Sequence, residues 1–186
     1  LVVEGGNKMS KSEGNFLRLQ TLLDKGYDAL DYRFFLLGGH YRKKIFFSYD
    51  AMDSAKNGRM SLVQKIVKIA DKGKIALSAG KSYGKGEADL RAGLSENAVV
   101  HLDAFRSALE NDLLMPVALS QLNKVLKDSA ISPNEALELV DRMDSVLGLR
   151  LLETASSVQK DAANLKASLL PNHSDEPEAL EIDALV

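Results

Sequence analysis

The sequence predicts a mainly α-helical protein: a helical bundle preceded by a short α/β piece. Two observations carry that prediction. Apolar residues recur at helical spacing behind capping residues over most of the stretch 28–148, and only residues 1–4 and 45–47 suggest strands. Composition narrows the choice further. With 186 residues, 45% apolar and 27% charged, the chain can bury a core, and collagen-like, low-complexity and wholly disordered readings are excluded.

In chain order, Leu1-Val2-Val3 reads as a strand that turns at Gly5-Gly6-Asn7. Residues 8–16 are polar and contain glycine, which predicts a loop, and a short helix at about 18–25 stops at Gly26. Asp28 is set to cap a second helix, with Asp31 favouring its first turn, apolar positions at Leu30, Phe34 and Leu37, and Gly38-Gly39 ending it. After Ile45-Phe46-Phe47, Ser48 starts one long helix predicted to reach about residue 78, with Met52, Ala55, Leu62, Ile66, Ile69 and Leu77 recurring at threes, fours and sevens despite Gly58 and Gly73.

Residues 78–93 are glycine-rich and read as a helix-to-helix loop. A helix after Ser95 carries the stripe Ala98, Leu102, Phe105, Leu109. Asp112 and Pro116 mark another, buried through Leu119, Leu122 and Leu126. Ser132-Pro133-Asn134-Glu135 is a capping box with proline at the first helical position, and its helix runs through Ala136, Leu137, Val140, Met143 and Leu147 to Gly148. Beyond Arg150 the pattern weakens, and 171–177 is a polar, acidic connector. The expected division is 1–50, 51–170 for the bundle, and 171–186 for the connector and the start of a C-terminal segment.

The absence of cysteine removes disulfides, thiolate metal sites and cysteine nucleophiles. His40, His101 and His173 lack zinc-site spacing, so no metal ligand is expected. No apolar run approaches the roughly 20 residues of a membrane span, and the start lacks the basic head of a signal peptide. A cytoplasmic protein without a membrane partner is the expectation. The net charge of -2 hides an asymmetry: residues 1–86 hold 16 Lys+Arg against 8 Asp+Glu, and residues 87–186 hold 8 against 18. The basic first part suits a polyanion, though a solvated helix surface has the same composition.

Lys8-Met9-Ser10-Lys11-Ser12 carries the chemistry. Two ammonium groups and two hydroxyls on one short loop can wrap nucleotide phosphates, the lysines supplying charge and the hydroxyls directional hydrogen bonds. A mobile lysine also suits attack by a carboxylate on the α-phosphorus of ATP, because it can engage charge as that charge develops.

This pentapeptide, continued by Gly14-Asn15-Phe16, resembles the signature loop of class I aminoacyl-tRNA synthetases. The chain beyond Phe16 is similar to the cysteinyl-tRNA synthetases in particular: Gly26-Tyr27-Asp28, Arg33, Phe35-Leu36-Leu37, His40-Tyr41-Arg42 and Phe47-Ser48, then Ala108-Leu109, Asp112-Leu113, Pro116, Ala118-Leu119 and Leu122, and finally Asp144 through Leu149. Glu181 to Val186 resembles the opening of that family's last helical segment. Two departures bear on local packing: Met115 stands where the family has threonine, and Asp31-Tyr32 where it has Ala-Leu.

The resemblance implies a C-terminal part of a ligase that activates cysteine with ATP and Mg2+ and transfers it to tRNA(Cys), running from the KMSKS loop through an anticodon-binding bundle. It implies that Lys11 stabilises the transition state, that Met9 lies near adenine through its backbone, and that Lys8 and Ser10 assist at the phosphates. Zinc is expected only in the catalytic domain that would precede Leu1, whose absence would leave the isolated chain inactive. Arg42, Lys43 and Lys44 are candidates for tRNA phosphates, against a solvated turn. His40 and Arg33 are expected to be structural at the junction, and His101 to lie on the helix surface. A cysteine ligase of mycothiol synthesis, another class I synthetase, and a non-catalytic helical RNA-binding module are the alternatives.

Overall fold

The computed structural model describes residues 2–3, 18–78, 91 and 93–168. The predicted loop at 8–12, most of the 78–93 loop and the 171–186 connector lie outside the described residues. The elements are β1 (Val2–Val3), α1 (Leu19–Asp24), α2 (Ala29–Leu37), β2 (Phe46–Phe47), α3 (Tyr49–Lys72), α4 (Glu96–Glu110), α5 (Met115–Val125), α6 (Pro133–Leu147) and α7 (Leu151–Ser168). The mainly α expectation holds, and the two segments that suggested strands pair with each other. β1 runs parallel to β2 in the register Val2↔Phe46 and Val3↔Phe47.

The caps set the helix starts. Asp28 accepts from the Leu30 amide while Asp31 accepts from the Asp28 amide. Ser48 accepts from the Ala51 amide and Ser95 from the Ala98 amide. Each bond satisfies a donor that the first helical turn leaves without a partner. Glu135 of the capping box does more than its own helix needs. One oxygen accepts from the Ser132 amide and hydroxyl at 3.1 and 2.7 Å, and the other accepts from the Ser95 amide at 2.7 Å, so one carboxylate ties the starts of α4 and α6 together. The Ser132 hydroxyl first, and then the Ser95 amide, pull its pKa down to about 2. α5 begins at Met115 without a side-chain cap at Leu114, and Met115 packs instead against the core.

One expectation is corrected, and one weakly signalled stretch proves helical. The long helix ends at Gly73 rather than near 78, because the chain turns there and Lys74 takes φ +53°. Leu77 still reaches the core from an extended connector whose amide donates to Gln159 of α7. Past Arg150 the chain forms an eighteen-residue helix, α7, although the sequence pattern weakens there. Its first two turns bury Leu151, Leu152, Ala155 and Ser156, while 160–168 lies exposed. A face made partly of Ala and Ser gives a weak hydrophobic signal even where it packs closely.

One aliphatic core joins the C-terminal part of α3 to α4, α5, α6 and α7, with Leu62, Ile66, Leu122, Leu137, Met143 and Leu147 almost without exposure. A second, small cluster of Leu22, Phe47 and Met52 lies under α1, α2 and β2, flanked by Tyr27, Tyr32 and Phe35. Helix α3 serves both. At about 1.5 Å per residue its 24 residues span roughly 36 Å, which takes it from the aromatic cluster into the bundle. Among the described residues no helix is long and apolar enough to cross a membrane.

Candidate functional site

Lys8, Met9, Ser10 and Lys11 lie outside the described residues. The elements on either side of them are described: β1 is fixed on β2, and α1 buries Leu22 in the aromatic cluster. Phe47 of β2 is held there by edge contacts to the rings of Phe35 and Tyr49 at 5.9 and 5.5 Å. Tyr27 stacks on Tyr49, and its hydroxyl donates to Asp53 of α3 at 2.7 Å. That bond, more than burial, raises the Tyr27 pKa to about 12. Lys56 donates to the Gly26 carbonyl from the same helix face.

The seam between α2 and α3 contains a charge pair that the sequence pattern hides. Arg59 and Asp31 are 5% and 1% exposed, and the Arg59 Nε donates to the Asp31 carboxylate at 2.8 Å. Asp31 therefore caps its own helix with one oxygen and binds α3 with the other. This accounts for the departure at that position as a buried ion pair. Gly58, one residue before Arg59, lets the helices close up: a Cβ there would lie 2.9 Å from the Phe34 ring.

Arg33, on the same helix as Asp31, donates from Nε to the Leu147 carbonyl at the end of α6. Its guanidinium lies against Gly148, whose φ of +63° makes the left-handed turn into α7. Arg33 is thus structural, as expected. Asp144 completes that corner by accepting from the amides of Leu149 and Leu151, both at 2.7 Å. Burial is the main cause of its raised pKa.

Between α2 and β2 the chain turns through His40-Tyr41-Arg42, and all three side chains converge on Asp112 in the α4–α5 turn. The Tyr41 hydroxyl donates to the Asp112 carboxylate at 2.5 Å, Arg42 pairs with it at 3.0 Å, and the His40 Nε2 stands 3.7 Å away. Arg42 also donates to the Tyr41 hydroxyl at 2.8 Å. The Asp112 hydrogen bond is the main reason the Tyr41 pKa is raised. Asp112 and Leu113 both adopt positive φ, at +53° and +51°, a conformation that costs non-glycine residues energy and here accompanies the clasp.

The three candidate cations therefore separate. Arg42 is committed to Asp112, whereas Lys43 and Lys44 stand exposed on the rim of a cleft of about 640 Å³. Phe34, Ile45, Ala55 and Pro116 supply apolar walls, and His40 also lines the cleft. His40 packs against the Tyr41 ring, as a linker histidine should. His101 is not a surface residue: its side chain is 15% exposed and lies 2.9 Å from Asp128. Sequence reasoning assigned Asp112 a helix-start role only. Its partner Tyr41 lies 71 residues away in the chain, with His40 and Arg42 beside it, and no local periodicity reports such a pairing. Among the described residues no three His, Asp or Glu side chains gather closely enough to hold a metal ion.

Comparison with known proteins agrees with this layout. Residues 1–57 match the model of the tRNA synthetases class I (C) catalytic domain. The chain is 37% identical over 172 residues to a cysteine–tRNA ligase of Treponema denticola, a match that covers 89% of this chain and 34% of that protein. It is 34% identical to the Zymomonas mobilis cysteine–tRNA ligase, covering 81% and 33%, and 33% identical to that of Geobacter sulfurreducens, covering 96% and 36%. The chain spans about a third of the length of the curated relatives it matches. The family model covers the first 57 residues and the relatives most of the chain, and on them the chain belongs to the cysteinyl-tRNA synthetase family.

Proposed function

We propose that this chain works as part of a cytoplasmic cysteine–tRNA ligase, with residues 1–50 completing the catalytic domain, 51–170 forming the tRNA-binding bundle and 171–186 leading into a further segment. The observation that carries the reading is similarity to cysteine–tRNA ligases on both sides of α3, in the loop segment and in the bundle alike. In the first step the cysteine carboxylate attacks the α-phosphorus of ATP, a P–O bond to pyrophosphate breaks, and cysteinyl-adenylate forms. In the second a terminal ribose hydroxyl of tRNA(Cys) attacks the activated carbonyl and AMP leaves. Mg2+ accompanies ATP as substrate.

Lys11 acts on the charge that grows on the equatorial oxygens and the departing pyrophosphate. Lys8 and Ser10 hold phosphate oxygens, and the Met9 backbone borders the adenine. Lys43 and Lys44 meet tRNA phosphates at the cleft rim, and the Asp112 clasp fixes the turn from which they project, with Arg42 contributing its remaining donors. The 186-residue chain on its own binds RNA without forming adenylate.

The test is a charging assay on the complete ligase with three acceptors: tRNA(Cys), tRNA(Met) and an amino sugar. ATP-dependent transfer of cysteine to tRNA(Cys) alone is expected. Transfer to the sugar would select the mycothiol-type ligase, methionylation of tRNA(Met) another class I enzyme, and no adenylate with any amino acid an inert binding module.

A further inference from the structure

Charge on the bundle is segregated by helix. The C-terminal half of α3 carries Lys65, Lys68 and Lys72, which fall within about 60° of one another at 100° per residue. The end of α5 and the turn after it carry Lys124 and Lys127. By contrast α6 carries Glu135, Glu138, Asp141 and Asp144 with only Arg142 against them. The two sets of lysines meet where α3 passes α5. The Lys65 ammonium donates to Asn123 of α5 at 2.9 Å, and about two turns farther along α3 Lys72 joins Lys127 in lining a cleft of about 160 Å³ with Ile69, Leu126 and Pro133.

Lys68, Lys72, Lys124 and Lys127 are exposed and pair with no described carboxylate. The one acid in the cleft, Asp128, is already engaged at both oxygens, by His101 at 2.9 Å and by the Ala130 amide at 2.8 Å. His101 is the main cause of the lowered Asp128 pKa. The groove therefore presents unopposed positive charge along an edge of roughly 10 Å from Lys65 to Lys72.

We propose that this lysine-edged groove between α3 and α5 seats the sugar–phosphate backbone of an RNA, as a second contact separate from the Lys43–Lys44 rim. This rests on the tRNA-ligase reading above. The residue types select backbone over bases. Lysine offers a point charge without the planar fork that recognises a base edge, and neither set contributes an arginine or an aromatic ring on which a base could stack. The groove thus adds affinity without sequence preference. An acidic protein segment would find the same charges, but lysines spaced over two turns of α3 and repeated at the end of α5 suit a regularly spaced polyanion better.

The test compares the 186-residue chain with a triple variant, Lys68→Gln with Lys72→Gln and Lys127→Gln, and with the corresponding triple arginine variant. Labelled tRNA(Cys) and a non-cognate tRNA are titrated at several salt concentrations, and circular dichroism checks that each variant keeps its helices. The glutamine variant should bind both RNAs about tenfold or more weaker, with the slope of log K against log salt reduced by about 2–3, near one unit per lost phosphate contact. The arginine variant should retain both. Wild-type binding matched in affinity and slope by the glutamine variant overturns the groove and leaves the ligase reading standing. Loss of cognate binding alone overturns the backbone assignment, and a wild-type chain that binds neither RNA overturns both readings.

Discussion

The front of the molecule, α1, α2 and β2, and the bundle, α3 to α7, are held by different chemistry. Among its described residues the front buries the apolar side chains of Leu22 and Phe47 against Met52 of α3, and it relies on ring contacts, the Tyr27–Asp53 bond and the Asp31–Arg59 pair. The bundle buries a continuous set of aliphatic side chains and uses polar groups mainly at helix ends. Hydrophobic burial scales with area, so the bundle holds itself together, whereas the front depends on α3 as a wall. The family match ends at residue 57, inside α3, two residues before the buried Arg59. The seam is therefore a continuous helix and not a linker.

The comparison breaks most sharply at Arg59. Arg59→Met leaves the Asp31 carboxylate buried without its charge partner and should cost about 3–5 kcal/mol, with part recovered in the double variant Arg59→Met, Asp31→Asn. The molecule offers two separate probes. It has no tryptophan, and every described tyrosine (Tyr27, Tyr32, Tyr41, Tyr49) belongs to the front or its seam. In urea, Arg59→Met should lose its tyrosine signal before its helical circular dichroism. Coincident loss of both signals would mean that front and bundle unfold as one.

Gly58→Ala sharpens the same seam with a smaller effect. Helix propensity alone would favour alanine by about 1 kcal/mol. The added methyl would stand 2.9 Å from the Phe34 ring, and overpacking of that kind costs about 1–3 kcal/mol, so a net lower melting temperature is expected. A raised melting temperature would show that α2 can back away from α3 without loss.

The smallest expected effect lies on the bundle side. The Glu135 pKa is held at about 2 in the fold against an ordinary 4.5, so its contribution is complete above pH 4.5 and is lost as pH falls towards 2. Glu135→Gln should lower stability by about 1 kcal/mol at pH 7 and flatten the pH dependence of the melting temperature within that window. An unchanged acid profile would remove Glu135 as the tie between α4 and α6.

The bundle was largely legible in the sequence because its signals are local. Ser132 and Glu135 stand three residues apart, and Ala136, Leu137, Val140, Met143 and Leu147 repeat at helical spacing. The strand pairing at Phe46 was visible as apolar residues, but not its parallel register with Val2. The front was harder to read because its contacts are distant in the chain: Asp31 meets Arg59 28 residues on, and Tyr41 meets Asp112 after 71. α7 was missed because half of it faces solvent and its buried face is partly Ala and Ser. Of the candidate site, the sequence offered Lys8 to Lys11 and the turn at Arg42 to Lys44 as candidates, while the Asp112 clasp emerged only once segments far apart in the chain were packed together.

We propose that residues 8–12 supply the charge that drives cysteine activation in the complete ligase. Cysteine-dependent exchange of pyrophosphate into ATP by the complete ligase tests it most directly, with Lys11→Ala beside the wild type. With the proposed role, in which Lys11 acts on charge present only in the transition state, Lys11→Ala should lose rate equivalent to about 2–4 kcal/mol of barrier, with the apparent affinity for ATP changed far less. An exchange rate equal to that of the wild type would contradict it.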